Sequence, residues 1–435
     1  MNGETKRPLR RRLLGALIFA LWCVVVVEAL LWGASLASTR VDLLLTNRQG
    51  VPKRLPDEET GHMRNPEYAE NDSRGFRNEK ALDSAEIVTL GDSQTAGLNA
   101  RSEEAWPKQL QRMLSTPVYN MAVGGFGPGR YHYLVDQALE LHPRWVITGF
   151  YIGNDLWNVV NEYYILDVPG IDWRPKDPAR VQLVQAHAKR GEEEYLEAAR
   201  YLTYQPPSGA RKGKGSGSRE RRGMSPVRLL QDHSRIWGAA RAIKAGIQVR
   251  FFGRRPSQPF DRRHWEQLVE AARTDPGLVV YQSAKVRTVL HPGHRFNGED
   301  IEGDSLVAEG LDMSLHMLRR IDERVRAAGS RHLILLIPSK EYIYHDALDP
   351  EPLPGTLQEA LARNEAAIVS RATEFFEENG IEYVDALPEM RRAVAEEVQL
   401  YPYSTQSHPD SPGYERIARA AARALEERGF AAGGP

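Results

Sequence analysis

The chain has 435 residues, 41% apolar and 26% charged, which excludes collagen-like and wholly disordered proteins and leaves room for a large core. Its 57 lysines and arginines nearly balance 58 acids, so no global polycationic surface argues for nucleic-acid binding. A single cysteine, Cys23, excludes a disulfide framework, a cysteine zinc site and a Cys-x-x-Cys redox pair.

Residues 1–12 form a short basic N-terminus carrying Lys6, Arg7, Arg10, Arg11 and Arg12. Residues 13–37 follow as an apolar run with one charge, Glu28, about the length a helix needs to cross a bilayer. The basic residues before it, against Arg40 alone close behind it, predict a single-pass signal-anchor in the cytoplasmic membrane with the rest of the chain outside the cytoplasm, periplasmic or at the cell surface. Ser35 and Ala37 offer the rival reading of a cleaved signal peptide. Glu28 lies near the outer interface, where it can snorkel to water. Residues 38–85 read as a tether and domain entry, with scattered proline, glycine and asparagine and no sustained period.

From residue 86 strands alternate with helices. Strands are predicted at Glu86–Leu90, Val118–Ala122, Trp145–Tyr151, His332–Ile337 and Ile381–Asp385. Helical patterns fall at Glu104–Leu114, Tyr131–Leu141, Leu306–Ala328, Leu357–Asn379 and Gly413–Arg428. That alternation predicts an α/β domain with a mainly parallel five-stranded sheet covered on both faces and functional groups at the carboxyl ends of its strands. The first part of this domain is 86–155 and the second 304–430. The interval 156–303 is too long for a plain connection and reads as a large, mostly helical insertion, with helices near 181–201 and 226–245 and a disordered basic loop near 206–223.

Four strand-end or loop blocks carry the chemistry. Gly91-Asp92-Ser93-Gln94-Thr95 follows the first strand and opens a helix, which puts a serine hydroxyl on a tight turn where backbone amides favour developing negative charge. Asn120-Met-Ala-Val-Gly-Gly-Phe-Gly-Pro-Gly ends the second strand, and its glycines allow backbone to approach a ligand; no Lys-Ser/Thr pair follows, which argues against a phosphate loop. Gly153-Asn154-Asp155 ends the third strand and offers an asparagine amide as an oxyanion donor. His408 lies in a polar loop before the last helix, where its imidazole can serve Ser93 as general base.

Together these blocks resemble the SGNH superfamily, also called the GDSL hydrolases, in family order. The resemblance implies a flavodoxin-like three-layer α/β/α domain and catalysis by Ser93 and His408. It implies an oxyanion hole of the Ser93 and Gly125 amides with Asn154, Gly124 being the neighbouring alternative. Asp92, Asp155 and Lys340 are supporting candidates. The family's aspartate two or three residues before the histidine is replaced by Gln406 and Thr405, which leaves Asp385 or Asp410 as the group orienting His408, a Ser-His dyad, or a site that only binds. Pro338-Ser339-Lys340-Glu341, with Tyr342 and Tyr344, resembles membrane-anchored SGNH proteins of the alginate-acetylation group, which implies an O-acyltransferase working with envelope polysaccharide machinery. Lys340 is then a candidate for an anionic sugar or acyl donor.

The expected activity is a serine-dependent ester hydrolase or O-acyltransferase that uses no cofactor and no metal, acting on a small acyl ester or an acylated glycan. A lipase-like esterase and a non-catalytic glycan-binding subunit are the alternatives. Phe126, Tyr131, Tyr151, Trp157, Tyr342 and Tyr344, in or beside the strand-end blocks, are candidate sugar-stacking surfaces. The His291-x-x-His294 pair lacks a third ligand of metal-site spacing.

Overall fold

The computed structural model describes residues 9–37, 53–68, 70–202, 260–299 and 301–430, the side chains of 9–14, 17, 21, 35, 37 and 191–202 excepted. The chain divides into two units. The larger comprises residues 54–66, 70–207 and 256–435; the smaller comprises 1–53, 67–69 and 208–255.

The larger unit is built on a five-stranded sheet. A hairpin comes first, β1 (Arg54–Asp57) with β2 (Gly61–Arg64), then the sheet strands β3 (Ile87–Leu90), β4 (Val118–Asn120) and β5 (Trp145–Tyr151). A second hairpin, β6 (Val279–Gln282) with β7 (Arg287–Leu290), precedes the last two sheet strands, β8 (Arg331–Ile337) and β9 (Tyr383–Asp385). The sheet runs β4-β3-β5-β8-β9, every neighbouring pair parallel. This is the order of a flavodoxin-like sheet, and it reverses direction between β3 and β5. The carboxyl ends of those two strands therefore frame a crevice, the place where such sheets hold ligands.

Strand residues alternate between two apolar layers. Val146 and Phe150 of β5 enter one with Ile334 and Leu336 of β8, while Trp145, Ile147 and Tyr151 enter the other with Leu333, Leu335 and Ile337. The first layer is closed by helices Pro128–Leu139, Asp155–Tyr164, Leu306–Ala327 and Leu357–Glu378. The second is closed by Trp106–Leu114, Leu387–Ala395 and Ser411–Glu427. Double-sided burial is what turned the central strands into the continuous apolar runs visible in the sequence.

One expectation needs correction. The tether at 38–85 contains the β1–β2 hairpin, whose antiparallel register pairs Arg54 with Arg64 and Pro56 with His62. In the described part of the insertion the helices Pro178–Leu202 and Arg262–Ala272 are accompanied by the short β6–β7 hairpin as a further element. The expected helix at 226–245 and the basic loop at 206–223 lie outside the described residues.

The smaller unit contains the helix Leu9–Ala37, which covers the anchor segment read at 13–37. Among the described residues no helix is long and apolar enough to cross a membrane. On this helix Ile18, Phe19, Trp22, Val25 and Leu30 are exposed.

Candidate active site

Ser93 opens the one-turn helix Ser93–Ala96 directly after β3, capped by Asp92, whose Oδ1 accepts the Gln94 N–H at 2.7 Å. Four residues make too short a helix for a macrodipole, so any anion preference here comes from the local amides. Asp92 is fully buried, and its Oδ2 meets both the Asn154 side-chain amide at 3.0 Å and Ser93 Oγ at 3.1 Å. Burial holds the Asp92 carboxyl above its ordinary range. One carboxyl group thus fixes the nucleophile candidate and the asparagine from the end of β5 in a common frame.

The Gly124–Gly125 bend comes from the end of β4. A Cβ on Gly124 would lie 3.4 Å from Ser93 Cβ, and Gly125 has φ +86°, a conformation that favours glycine. Among the described residues neither glycine N–H donates to a protein acceptor. The bend is held by its carbonyls: Gly124 O meets His62 Nε2 at 3.2 Å, and Gly125 O accepts from Arg130 Nη2. Arg130 is locked by Glu162 at 2.7 Å, both side chains buried, and its Nη1 donates to Thr60 O at 3.1 Å. The hairpin is therefore a brace for the glycine bend, which no local sequence pattern revealed.

His408 closes the site from 315 residues away in sequence, its Nε2 lying 2.8 Å from Ser93 Oγ. The other ring nitrogen, Nδ1, lies 2.9 Å from Gln406 Oε1. That amide oxygen also accepts the Ser407 N–H at 3.0 Å, which identifies the atom as oxygen and requires the proton on Nδ1. Nε2 is then left with its lone pair toward the serine, the tautomer a general base needs. Burial first, and Arg295 second, lower the His408 pKa to about 4, so the imidazole is neutral at pH 7.

Gln406 is the group that sequence reasoning missed. Its position two residues before His408 was the available signal, and a carboxamide oxygen fills the orienting role there without a charge. Asp385 and Asp410 do not: Asp385 Oδ1 accepts the Leu387 N–H at 2.8 Å, and Asp410 Oδ1 accepts from Asn99 Nδ2 at 2.8 Å.

Lys340 also departs from expectation. It is fully buried, and its Nζ donates to three carbonyls, Val289 at 2.9 Å, Ser404 at 2.8 Å and Gln406 at 3.1 Å. Three N–H bonds meet three acceptors, so nothing remains for a ligand. Lys340 ties the histidine loop to β7, and further ties come from Gln94 Nε2 to Ser407 O at 3.2 Å and Tyr414 OH to Leu98 O at 2.7 Å. Burial lowers the Lys340 pKa to about 7. Lys340→Met keeps the side-chain length and removes all three donors. Turnover should fall about tenfold or more with the melting temperature down by several degrees, as buried carbonyls lose their partners. Ester kinetics beside a thermal melt check both, and unchanged turnover would show that the loop holds its place without the lysine.

Asp155 is a framework residue, its buried carboxylate accepting the Tyr131 hydroxyl at 2.8 Å and the Tyr151 N–H at 2.9 Å. Glu341 takes the Arg295 guanidinium at 2.8 Å and the His291 N–H at 3.1 Å. Four of the six aromatics named as sugar platforms are unavailable, since Phe126, Tyr131, Tyr151 and Tyr344 are all at most 2% exposed. Trp157 packs on His187 and Phe296, and Tyr342 lies under Arg391. The His291 and His294 rings stack at 5.0 Å, and no metal-binding cluster occurs among the described residues.

Fold and site together define a doubly wound α/β domain with a hydrogen-bonded serine–histidine pair at its sheet switch point. The sequence matches no protein-family model and no curated protein. Solved structures similar to it include a lipolytic protein of the G-D-S-L family from Desulfitobacterium hafniense DCB-2, at 11% identity and TM-score 0.32, covering 78% of this chain and 98% of that one. An acetylxylan esterase from Geobacillus stearothermophilus matches at 11% identity and TM-score 0.33, covering 80% and 95%. A GDSL-like lipase from Bacteroides thetaiotaomicron VPI-5482 matches at 9% identity and TM-score 0.32, covering 79% and 88%. Likeness at this level carries no argument about activity, which rests on the side-chain geometry above.

Proposed function

We propose that this protein is a serine-dependent ester hydrolase of SGNH type, working through Ser93, His408 and Gln406. The observation that carries the reading is the chain of contacts from Ser93 Oγ to His408 Nε2 at 2.8 Å and from His408 Nδ1 to Gln406 Oε1 at 2.9 Å. In the first step Ser93 Oγ attacks the ester carbonyl while Nε2 takes its proton. The carbonyl oxygen becomes an oxyanion, for which the Ser93 and Gly125 amides and Asn154 Nδ2 are the donors at hand. Collapse of the tetrahedral species breaks the bond to the alcohol, which leaves with the proton from Nε2. Water then repeats the sequence on the acyl-serine and yields an acid; a sugar hydroxyl in place of water would make the reaction an O-acyl transfer.

A fluorophosphonate probe tests this directly. Wild type should be labelled once and Ser93→Ala should not be labelled. Labelling that survives in Ser93→Ala puts the nucleophile elsewhere, and an unreactive wild type favours a binding role for the cleft.

We further propose that residues 13–37 anchor the domain outside the cytoplasm, on the strength of the apolar run and the five basic residues preceding it. Envelope glycan esters then become accessible substrates. An alkaline phosphatase fusion after Pro435 should be active on cells, and the purified protein should retain its N-terminus. A mature chain beginning near Ser38 would replace the anchor with a cleaved leader.

A further inference from the structure

Arg54, on β1, points its guanidinium at the glycine bend. Its Nη2 lies 3.1 Å from the place a Gly124 Cβ would occupy, and Ser93 Cβ lies 3.4 Å from that same point. Both Nη atoms lie 3.6 Å from the corresponding point on Gly125. The cation and the nucleophile therefore flank one small patch of bare backbone, which is bare because both residues there are glycine.

The charge inventory around Arg54 is one-sided. Arg64 is its cross-strand partner in the hairpin, and Arg130 approaches from the helix Pro128–Leu139. His62, on β2, is held neutral at pH 7 by burial and by Arg54 itself, with a pKa of about 4. The nearby acids are committed elsewhere: Glu162 to Arg130, Asp57 to Thr60 at 2.7 Å, and Asp92 to Ser93, Gln94 and Asn154. Arg54 is exposed to solvent and has no carboxylate partner among the described residues. The hairpin that carries it is fixed to the bend through His62 and Arg130, which places the guanidinium at the solvent-facing side of the glycine bend, beside the nucleophile.

We infer that Arg54 makes the site selective for esters that carry a carboxylate close to the scissile bond. A guanidinium presents a planar fork of donors matched to a carboxylate, and an arginine with no acid of its own leaves that fork for the substrate. The selectivity rests on the ester-hydrolase reading and adds to it a class of substrate, an acidic acyl ester such as an acylated sugar acid.

The test uses two probes of one shape, 4-acetoxybenzoate and 4-acetoxybenzamide, with their 3-substituted isomers to vary the reach. Wild type should favour the benzoate over the benzamide in kcat/KM by about tenfold or more at low salt, the ratio shrinking as salt rises. Arg54→Ala should bring the ratio to about one and Arg54→Glu should invert it, an outcome that general damage to the site cannot produce. A ratio unchanged in Arg54→Ala, or a wild type that does not distinguish the two esters, overturns the assignment. Calorimetric titration of Ser93→Ala with the same pair reads charge selectivity without turnover. A benzoate preference there with no hydrolysis by wild type would keep Arg54 as an anion reader and remove the hydrolase, while equal affinities would remove Arg54.

Discussion

His408→Ala should slow turnover of an activated aryl ester by about two to four orders of magnitude, with Ser93→Ala at least as damaged. The Ser93 proton has two possible destinations, His408 Nε2 at 2.8 Å and Asp92 Oδ2 at 3.1 Å. Asp92 is a poor alternative base. Its oxygens already accept from the Gln94 N–H at 2.7 Å and Asn154 Nδ2 at 3.0 Å, and it lacks the path to the leaving alcohol that the imidazole offers. The imidazole is neutral at pH 7, faces the hydroxyl through a lone pair, and can carry the same proton to the leaving alcohol. Burst kinetics with an aryl acetate separate the steps, since loss of the base should depress both acylation and deacylation. A His408→Ala protein that keeps more than about a tenth of wild-type turnover would transfer the role of base to Asp92.

The sequence was most legible where burial is two-sided and least where the geometry is made by distant contacts. Strand β5 appears over the residues expected, Trp145–Tyr151, because all seven are buried and leave an unbroken apolar run. The β1–β2 hairpin was invisible for the opposite reason. Its four-residue strands hold a proline, an aspartate and two arginines, and what fixes them is a contact from His62 to the Gly124 carbonyl and one from Arg130 to the Thr60 carbonyl, each spanning more than 60 residues of chain. Ser93, Asn154 and His408 could be located because each sits in a short block at a strand end or loop. The identity of a residue does not say where its side chain is spent, which is why Lys340 read as a ligand group and serves as a loop clamp. The same limit hid Gln406: its place before His408 was plain, but only the shared contact with the Ser407 N–H shows which face of the amide meets the ring.

That contact leads to the second large effect. Gln406→Glu should move the acid limb of kcat/KM upward from about pH 4 by one to three units and raise turnover near pH 8 by about one to two orders of magnitude. The sign follows from the ring's two protonation states. His408 must be neutral to accept the serine proton, so activity falls as pH drops through its pKa, which burial and Arg295 hold at about 4. A carboxylate at Nδ1 stabilises the imidazolium, raises that pKa and lifts the limb with it. The transition state carries the same positive ring, and each unit of pKa corresponds to about 1.4 kcal/mol available to it. Replacing an aspartate by asparagine in a serine protease costs about four orders of magnitude, but that loss includes a wrong tautomer. Here the tautomer is already correct, and only the charge is absent, so the gain should be smaller than that loss. The nearby charge favours the exchange, because Arg295, which acts on the His408 ring, would also offset the new carboxylate. The pH profile of wild type beside Gln406→Glu decides the matter. An acid limb that stays near pH 4 in the variant would mean that the new carboxylate does not face Nδ1, and that Gln406 holds the ring by a contact a glutamate does not reproduce.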